Sequence, residues 1–251
     1  VLFQWIRFLQ NLCSFLLLQR YIGRGKGIPI KSFPELIPEY FRRVLELNAD
    51  YIFILDKPLV SNEFFEQAEK YNIPVVWIDH HEKDKYGEDI PDFVNYYNPV
   101  LNKKKSDEPV TALCFQISDK KEDDWIGVVG SIADNYIPDF YTGFKKKYSE
   151  LTPSNKSKES AFDIYYRSEI GKVSRILGFG LKDSITNVVR MMKYLMKAKG
   201  PYDVLEENNK NYSMHKRFKE LDSKFQNLLE KAIKIGKDIG DEKILFRLSI
   251  W

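Results

Sequence analysis

The sequence predicts an α/β fold: a parallel sheet with flanking helices, followed by an all-helical segment. Three observations carry this expectation. Two short β-prone runs, 51–55 (YIFIL) and 75–78 (VVWI), are apolar throughout, the pattern of strands buried on both faces. A helical periodicity fills the interval between them and the connections are short, which is the strand–helix–strand alternation of a parallel sheet. Beyond about residue 138 only helical patterns recur.

In chain order, residues 1–22 are rich in Leu, Phe and Ile, but Arg7, Gln10, Asn11, Gln19 and Arg20 interrupt them. No apolar run reaches the roughly 18 residues that a membrane span needs, and no small-residue cleavage site follows. Residues 1–10 are expected to be helical or irregular and to bring no acid to a site. Residues 12–22 predict a buried helix stopped by Gly23. The stretch GRGKG (23–27) is a loop, and no GK[ST] follows to make it a phosphate-binding P-loop. Residues 28–33 suit a short strand. Pro34 and Glu35 open a helix whose apolar positions 36, 37, 40, 41, 44 and 45 have helical spacing. The strand 51–55 ends at Asp56, and Lys57-Pro58 turns the chain. Ser61 can cap a helix over 62–71, with Glu63 and Glu66 near its positive end. Pro74 leads into the strand 75–78, which ends at Asp79.

Residues 102–107 form a charged loop, and 109–117 and 125–134 read as helices. The later helices are separated by breaks at Pro153, Gly178–Gly180 and Gly200-Pro201. Residues 214–237 form a long amphipathic helix, and 243–249 turn strand-like. The chain begins with Val and ends abruptly at Trp251, so a fragment of a longer protein is expected. Its organisation reads as an α/β domain over 1–140, a helical extension over 141–240, and the truncated start of a further domain over 241–251.

The composition sets limits on function. The net charge is only +3, so no general electrostatic footprint for nucleic acid is visible and an anionic ligand would need a local cluster. Two cysteines, Cys13 and Cys114, are too few for a disulfide framework, which points to a reducing, cytoplasmic setting.

The chemistry concentrates at strand ends. Asp56 and Asp79 both close predicted parallel strands, where α/β sheets bind ligands. Of three histidines, two are adjacent, His80 and His81. A carboxylate beside a histidine is the usual support for a metal-binding imidazole.

Together these residues resemble the motifs of the DHH phosphoesterase family, which includes RecJ-like single-strand exonucleases, oligoribonucleases, cyclic-dinucleotide phosphodiesterases and family II pyrophosphatases. ILDKP with Asp56 matches the second motif, WIDHHE (77–82) the third, and GSIADN (130–135) with Asp134 the fourth. The resemblance covers residues 12–140. It implies that Asp56 bridges two Mn²⁺ or Mg²⁺ ions, that His80 and Asp134 complete one ion's shell, that His81 faces the substrate phosphate, and that Asp79 orients a histidine. The implied reaction is metal-dependent hydrolysis of phosphodiester bonds in single-stranded nucleic acid or oligonucleotides, with replication or repair proteins as candidate partners and no membrane role.

The first motif, of the form D-x-D-G, is missing: Phe8 and Gln10 stand where the acids belong, and Asn11 replaces the glycine. Three readings remain open. The start is truncated, or the chain is a non-catalytic scaffold on this fold, or other acids such as Asp50 or Asp84 serve. A small-molecule phosphoesterase acting on pyrophosphate or a cyclic dinucleotide is a further alternative.

Other features read blandly. Lys103–Lys105 and Lys145–Lys147 are candidate phosphate-backbone contacts, with solvated loops or helix ends as the favoured reading. Arg24 and Lys26 lie in a loop that either touches phosphate or simply faces water. Tyr136, Phe140 and Tyr141 either stack bases of a single strand or, the commoner role, pack in the core. Cys13 and Cys114 read as small core residues, and His215 as an exposed histidine.

Overall fold

The computed structural model describes residues 2–4, 8–30, 32, 34–82, 90–153, 159–235, 237–238 and 244–245. In chain order its strands are β1 (Leu2–Gln4), β2 (Gly27–Pro29), β3 (Glu35–Leu36), β4 (Ile52–Leu55), β5 (Leu59–Val60), β6 (Val75–Ile78), β7 (Val94–Tyr97), β8 (Lys237–Asp238) and β9 (Ile244–Leu245). The helices are α1 (Leu9–Ile22), α2 (Phe41–Glu46), α3 (Asn62–Lys70), α4 (Val110–Ser118), α5 (Asp124–Ala133), α6 (Tyr141–Lys147), α7 (Ala161–Arg167), α8 (Glu169–Gly180), α9 (Ile185–Leu195), α10 (Tyr202–Leu205) and α11 (Tyr212–Ile235).

The main sheet has the order β2-β1-β4-β6-β7, and every pairing in it is parallel. The chain steps from β1 to β2 on one side, then crosses to β4 on the other. That reversal opens a crevice at the carboxyl ends of β1 and β4, the place where open α/β sheets take their ligands.

Side chains along each strand alternate between two apolar layers. Ile52, Ile54, Val75 and Trp77 pack with Phe41, Val44, Phe64, Phe65 and Ala68 of α2 and α3. Leu55 and Ile78 pack on the opposite face with α1, α4 and α5. This two-sided burial is why runs such as VVWI carry no polar residue. The second layer continues through α5 into Val173, Ile176 and Leu177 of α8 and Met214 of α11.

Several elements differ from expectation. Residues 2–4 are not irregular: they form β1, paired on both sides, with Phe3 opposite Ile28 and Ile54. The helix expected from Pro34 starts later. Ile37 precedes Pro38 and is held extended (φ −82°, ψ 155°), because the proline ring disfavours the helical region for the residue before it. Glu35–Leu36 instead pair with β5, and the helix proper begins at Phe41. β7 has no counterpart in the sequence pattern; only Val94 of its four residues is buried, so it lacks the all-apolar signature. The break expected at Gly178–Gly180 falls at its second glycine: Gly178 lies within α8, and Gly180 is its last residue. His215 is buried, not exposed, and its Nε2–H donates to the Val204 carbonyl at 2.8 Å. Of the strand-like stretch 243–249, residues 244–245 form β9 and the rest lie outside the described residues.

Candidate metal centre

The carboxyl edge of the sheet assembles the site. At the end of β4 the chain leaves the sheet at Asp56, whose backbone is left-handed (φ +53°), a conformation that aspartate tolerates better than most L residues. Its N–H still donates to the Ile78 carbonyl at 2.9 Å, so the side chain is held beside the end of β6. The next residue, Lys57, is fully buried and its ammonium donates to the Ser32 carbonyl. Burial pulls that ammonium down to about 8, against the attraction of Asp56 and Glu35.

At the end of β6, Asp79 keeps register with β7 through its N–H to the Tyr97 carbonyl (3.0 Å). Its buried carboxylate accepts from the His81 backbone N–H (3.1 Å) and meets His81 Nδ1 at 2.7 Å. With Nδ1 committed, the His81 ring offers Nε2 outward. Asn98, just past β7, donates to the His81 carbonyl (2.9 Å) and accepts from Val100 N–H (3.0 Å), strapping the histidine loop to the strand beside it.

His80 stands between two acids. Its Nε2 is 3.2 Å from Asp56 Oδ1 and 3.5 Å from Asp134 Oδ2. Asp134 follows the last turn of α5 and is held there by its N–H to the Ser131 carbonyl. The two contacts are ion-pair contacts rather than directed hydrogen bonds: Asp56 Oδ1 and Asp134 Oδ2 are buried oxygens that accept no hydrogen bond. Buried carboxylate oxygens without donors are costly, and the ring answers by holding its proton. Burial alone would lower His80, but Asp56, Asp134 and Asp79 together raise it to about 9. His81 is likewise held above its ordinary value: burial pulls down, and the Asp79 hydrogen bond and charge outweigh it. Asp134 is pushed up, first by burial and then by repulsion from Asp56, against the pull of His80.

This donor set fits a hard divalent cation. Asp56, His80 and His81 each offer one ligand atom, all within 4.8 Å of one another, and Asp134 adjoins through His80. Carboxylate oxygen with imidazole nitrogen suits Mn²⁺ or Mg²⁺, without the thiolates that select softer ions. Both cysteines are buried with their thiols pushed up by desolvation, consistent with small core residues.

Two contributors go beyond the sequence reading. Gln10, in the first turn of α1, points into the site and donates from Nε2 to Asp134 Oδ1 at 3.4 Å. Its own carbonyl accepts from Ser14 and Thr111 hydroxyls, both at 2.8 Å, which pins the turn. The first turn of α1 carries no acid, so the side chain that Gln10 turns into the site is neutral. Asn11 beside it is fully buried, with neither amide atom hydrogen-bonded. Asn98 is the other addition, although an Asn-Pro pair just after a strand is a turn signal.

The remaining candidates stay apart from the site. Arg24 and Lys26 line a cavity of about 400 Å³ with Tyr51 and Phe53, at the amino edge of the sheet. Lys103–Lys105 are exposed. Lys145 pairs with Glu159 and Lys147 with Asp124. Phe140 packs against Phe115 with tilted rings and Tyr141 is buried, both in the core, whereas Tyr136 is half-buried and outside it. Asp50 is exposed beside Arg24, and Asp84 lies outside the described residues.

No protein-family model matches the sequence and no curated protein matches it. Solved structures do. The chain is similar to exonuclease RecJ bound to manganese, with a TM-score of 0.61 and 12% identity over 93% of this chain and 64% of that one. It is similar in the same degree to RecJ in complex with Mn²⁺ from Thermus thermophilus, covering 37% of that chain. The chain thus spans less than two thirds of either RecJ structure, and what it shares with them is the fold.

Proposed function

We propose that this chain is a divalent-cation-binding protein of the DHH phosphoesterase type that takes phosphodiesters of single-stranded nucleic acid or short oligonucleotides and holds one cation rather than two. The observation that carries the reading is the pair of donor-less buried oxygens, Asp56 Oδ1 and Asp134 Oδ2, both turned toward His80 Nε2. Asp56, His80 and Asp134 would hold the ion. When bound, it supplies Lewis-acid polarisation of a phosphoryl oxygen and lowers the pKa of a water. His81, fixed through Nδ1 by Asp79, presents a protonated Nε2 that can donate to a phosphate oxygen. Proton placement of this kind contributes about 10²–10⁴-fold in rate. The likeness to RecJ and the long helical segment after Asp134 support a nucleic-acid substrate over a small one.

Gln10 favours a second reading, a non-catalytic scaffold on the same fold, because a neutral amide stands where the family carries a carboxylate. Gln10 lies in the first turn of α1, the helix that follows β1 in the chain, which supports an altered first motif. One experiment separates the readings. Calorimetric titration should find about one equivalent of Mn²⁺, lost in Asp56→Ala and His80→Ala. A labelled single-stranded oligonucleotide should be cut slowly or not at all, and Gln10→Asp should raise both Mn²⁺ affinity and cleavage. Robust Mn²⁺-dependent cleavage by the unaltered chain would refute the single-cation assignment, and absence of Mn²⁺ binding would leave only the scaffold.

A further inference from the structure

We propose that the outward flank of α9 is a docking face for an acidic amphipathic peptide segment of a partner protein. α9 turns only Met191 and Leu195 fully inward. Ile185, Val189, Met192 and Met196 recur at i, i+4, i+7 and i+11, one stripe of a helix; Ile185, Val189 and Met196 face outward, and Met192 is partly buried against the core. Ile185 is 75% exposed, Val189 42% and Met196 36%. A stripe of adjoining apolar side chains differs from the scattered exposure that is normal for single residues and marks an interaction surface. Two of its four members are methionines, whose flexible thioethers adapt to a partner's shape.

Charge identifies the occupant. Between Asp183 and Asp203 the sequence has no acid and four cations, Arg190, Lys193, Lys197 and Lys199. At 100° per residue, Lys193, Lys197 and Arg190 form an arc along one side of the stripe. None of the three has an ion-pair partner among the described residues. Elsewhere in the helical half acids are interspersed with the cations, and Lys145, Lys147, Arg167, Lys172, Arg217 and Lys219 each face one. A phosphodiester chain would satisfy the cations and leave the aliphatic and methionine stripe in water. A lipid surface would cover the stripe, but α9 is 11 residues long and its stripe has no Trp or Phe of the kind that anchors interfacial helices. A helix with apolar residues on one face and Glu or Asp along its edge covers both arcs, the helix-on-helix form of peptide recognition.

The test uses the intact chain and a labelled helical peptide about 16 residues long, with Leu at i, i+4, i+7 and i+11 and Glu along one edge. Anisotropy should show saturable binding, weakened about tenfold or more by Ile185→Ser/Val189→Ser, which removes burial of two apolar side chains, and similarly by Lys193→Glu/Lys197→Glu. These positions are exposed; unchanged circular dichroism and melting would show that the variants fold. A peptide with Lys in place of Glu should not bind, and phosphatidylserine vesicles and a single-stranded oligonucleotide should bind the variants as they bind the parent. Absence of saturable binding, indifference to the substitutions, or loss of vesicle or oligonucleotide binding in the same variants would overturn the proposal.

Discussion

His80 answers two carboxylates with one ring nitrogen, and the consequence is a competition between a proton and a cation. Its folded value is raised from 6.5 to about 9. For a group raised in this way, the metal-free protein has the full stabilisation below about pH 6.5 and loses it as pH climbs through about 9. Coordination needs the neutral ring, so Mn²⁺ must displace that proton. The apparent Mn²⁺ affinity should therefore rise about tenfold per pH unit from pH 6.5 and level off near 9, with about one proton released per ion. Calorimetry in buffers of different ionisation enthalpy measures both; an affinity flat over this range would mean that His80 is not a ligand. Asp56, Asp79, His80, His81 and Asp134 are legible in the sequence because each stands at or beside the end of an element whose apolar pattern is unmistakable. Gln10 falls at the right alignment position, yet a neutral side chain gives no chemical reason to expect it in a cation site. Only the packing of α1 on α4 and α5 reveals its direction.

At the scale of single elements, local chemistry sets the ends. Ser61 Oγ accepts the Phe64 N–H at 3.2 Å and begins α3 where the sequence places it. Gly23 ends α1 at φ +76°, a region that costs side-chain-bearing residues roughly 1 kcal/mol. Ser61→Ala and Gly23→Ala should each lower unfolding free energy by about 1 kcal/mol, read from urea midpoints at unchanged slope. A loss well under half of that would show that tertiary packing, not the cap, fixes the end. β4 and β6 are legible because both faces of each are buried. β1 is not: three residues, LFQ, carry too short a pattern, and what makes them a strand is pairing with β2 and β4, which are distant in sequence. α2 starts later than its apolar spacing suggests because Pro38 acts on the residue before it, an effect stronger than the periodicity that points to a helix from Pro34. His215 departs from expectation for a related reason: the charged character of α11 as a whole hides one turn that faces α10.

Across the whole molecule, one apolar layer runs from α1 through α5 to α8 and Met214. Arg20 pins the same junction, with its guanidinium 2.8 Å from buried Asp123 and donating to the carbonyls of Leu195 and Ala198. The candidate cation site lies at the opposite end of the α1–α5 pair: Asp56 and His80 come from the sheet, Asp134 from the end of α5, and Gln10 from the first turn of α1. An ion held there would act as a tether, joining stretches of chain that are far apart in sequence and that have no common position once the protein unfolds. Because it binds only the assembled form, raising Mn²⁺ to 100 times its dissociation constant should add about 2.7 kcal/mol of stability and lift the melting temperature by roughly 5–10 °C, in a single transition of sheet and helices together. Calorimetric scanning with and without Mn²⁺ measures the lift, and a transition that splits in two, only one part responding, would count against the tether. If the lift occurs, metal occupancy would govern not only chemistry at the sheet edge but also how long this chain survives as a folded protein, even in a form that never cuts a phosphodiester.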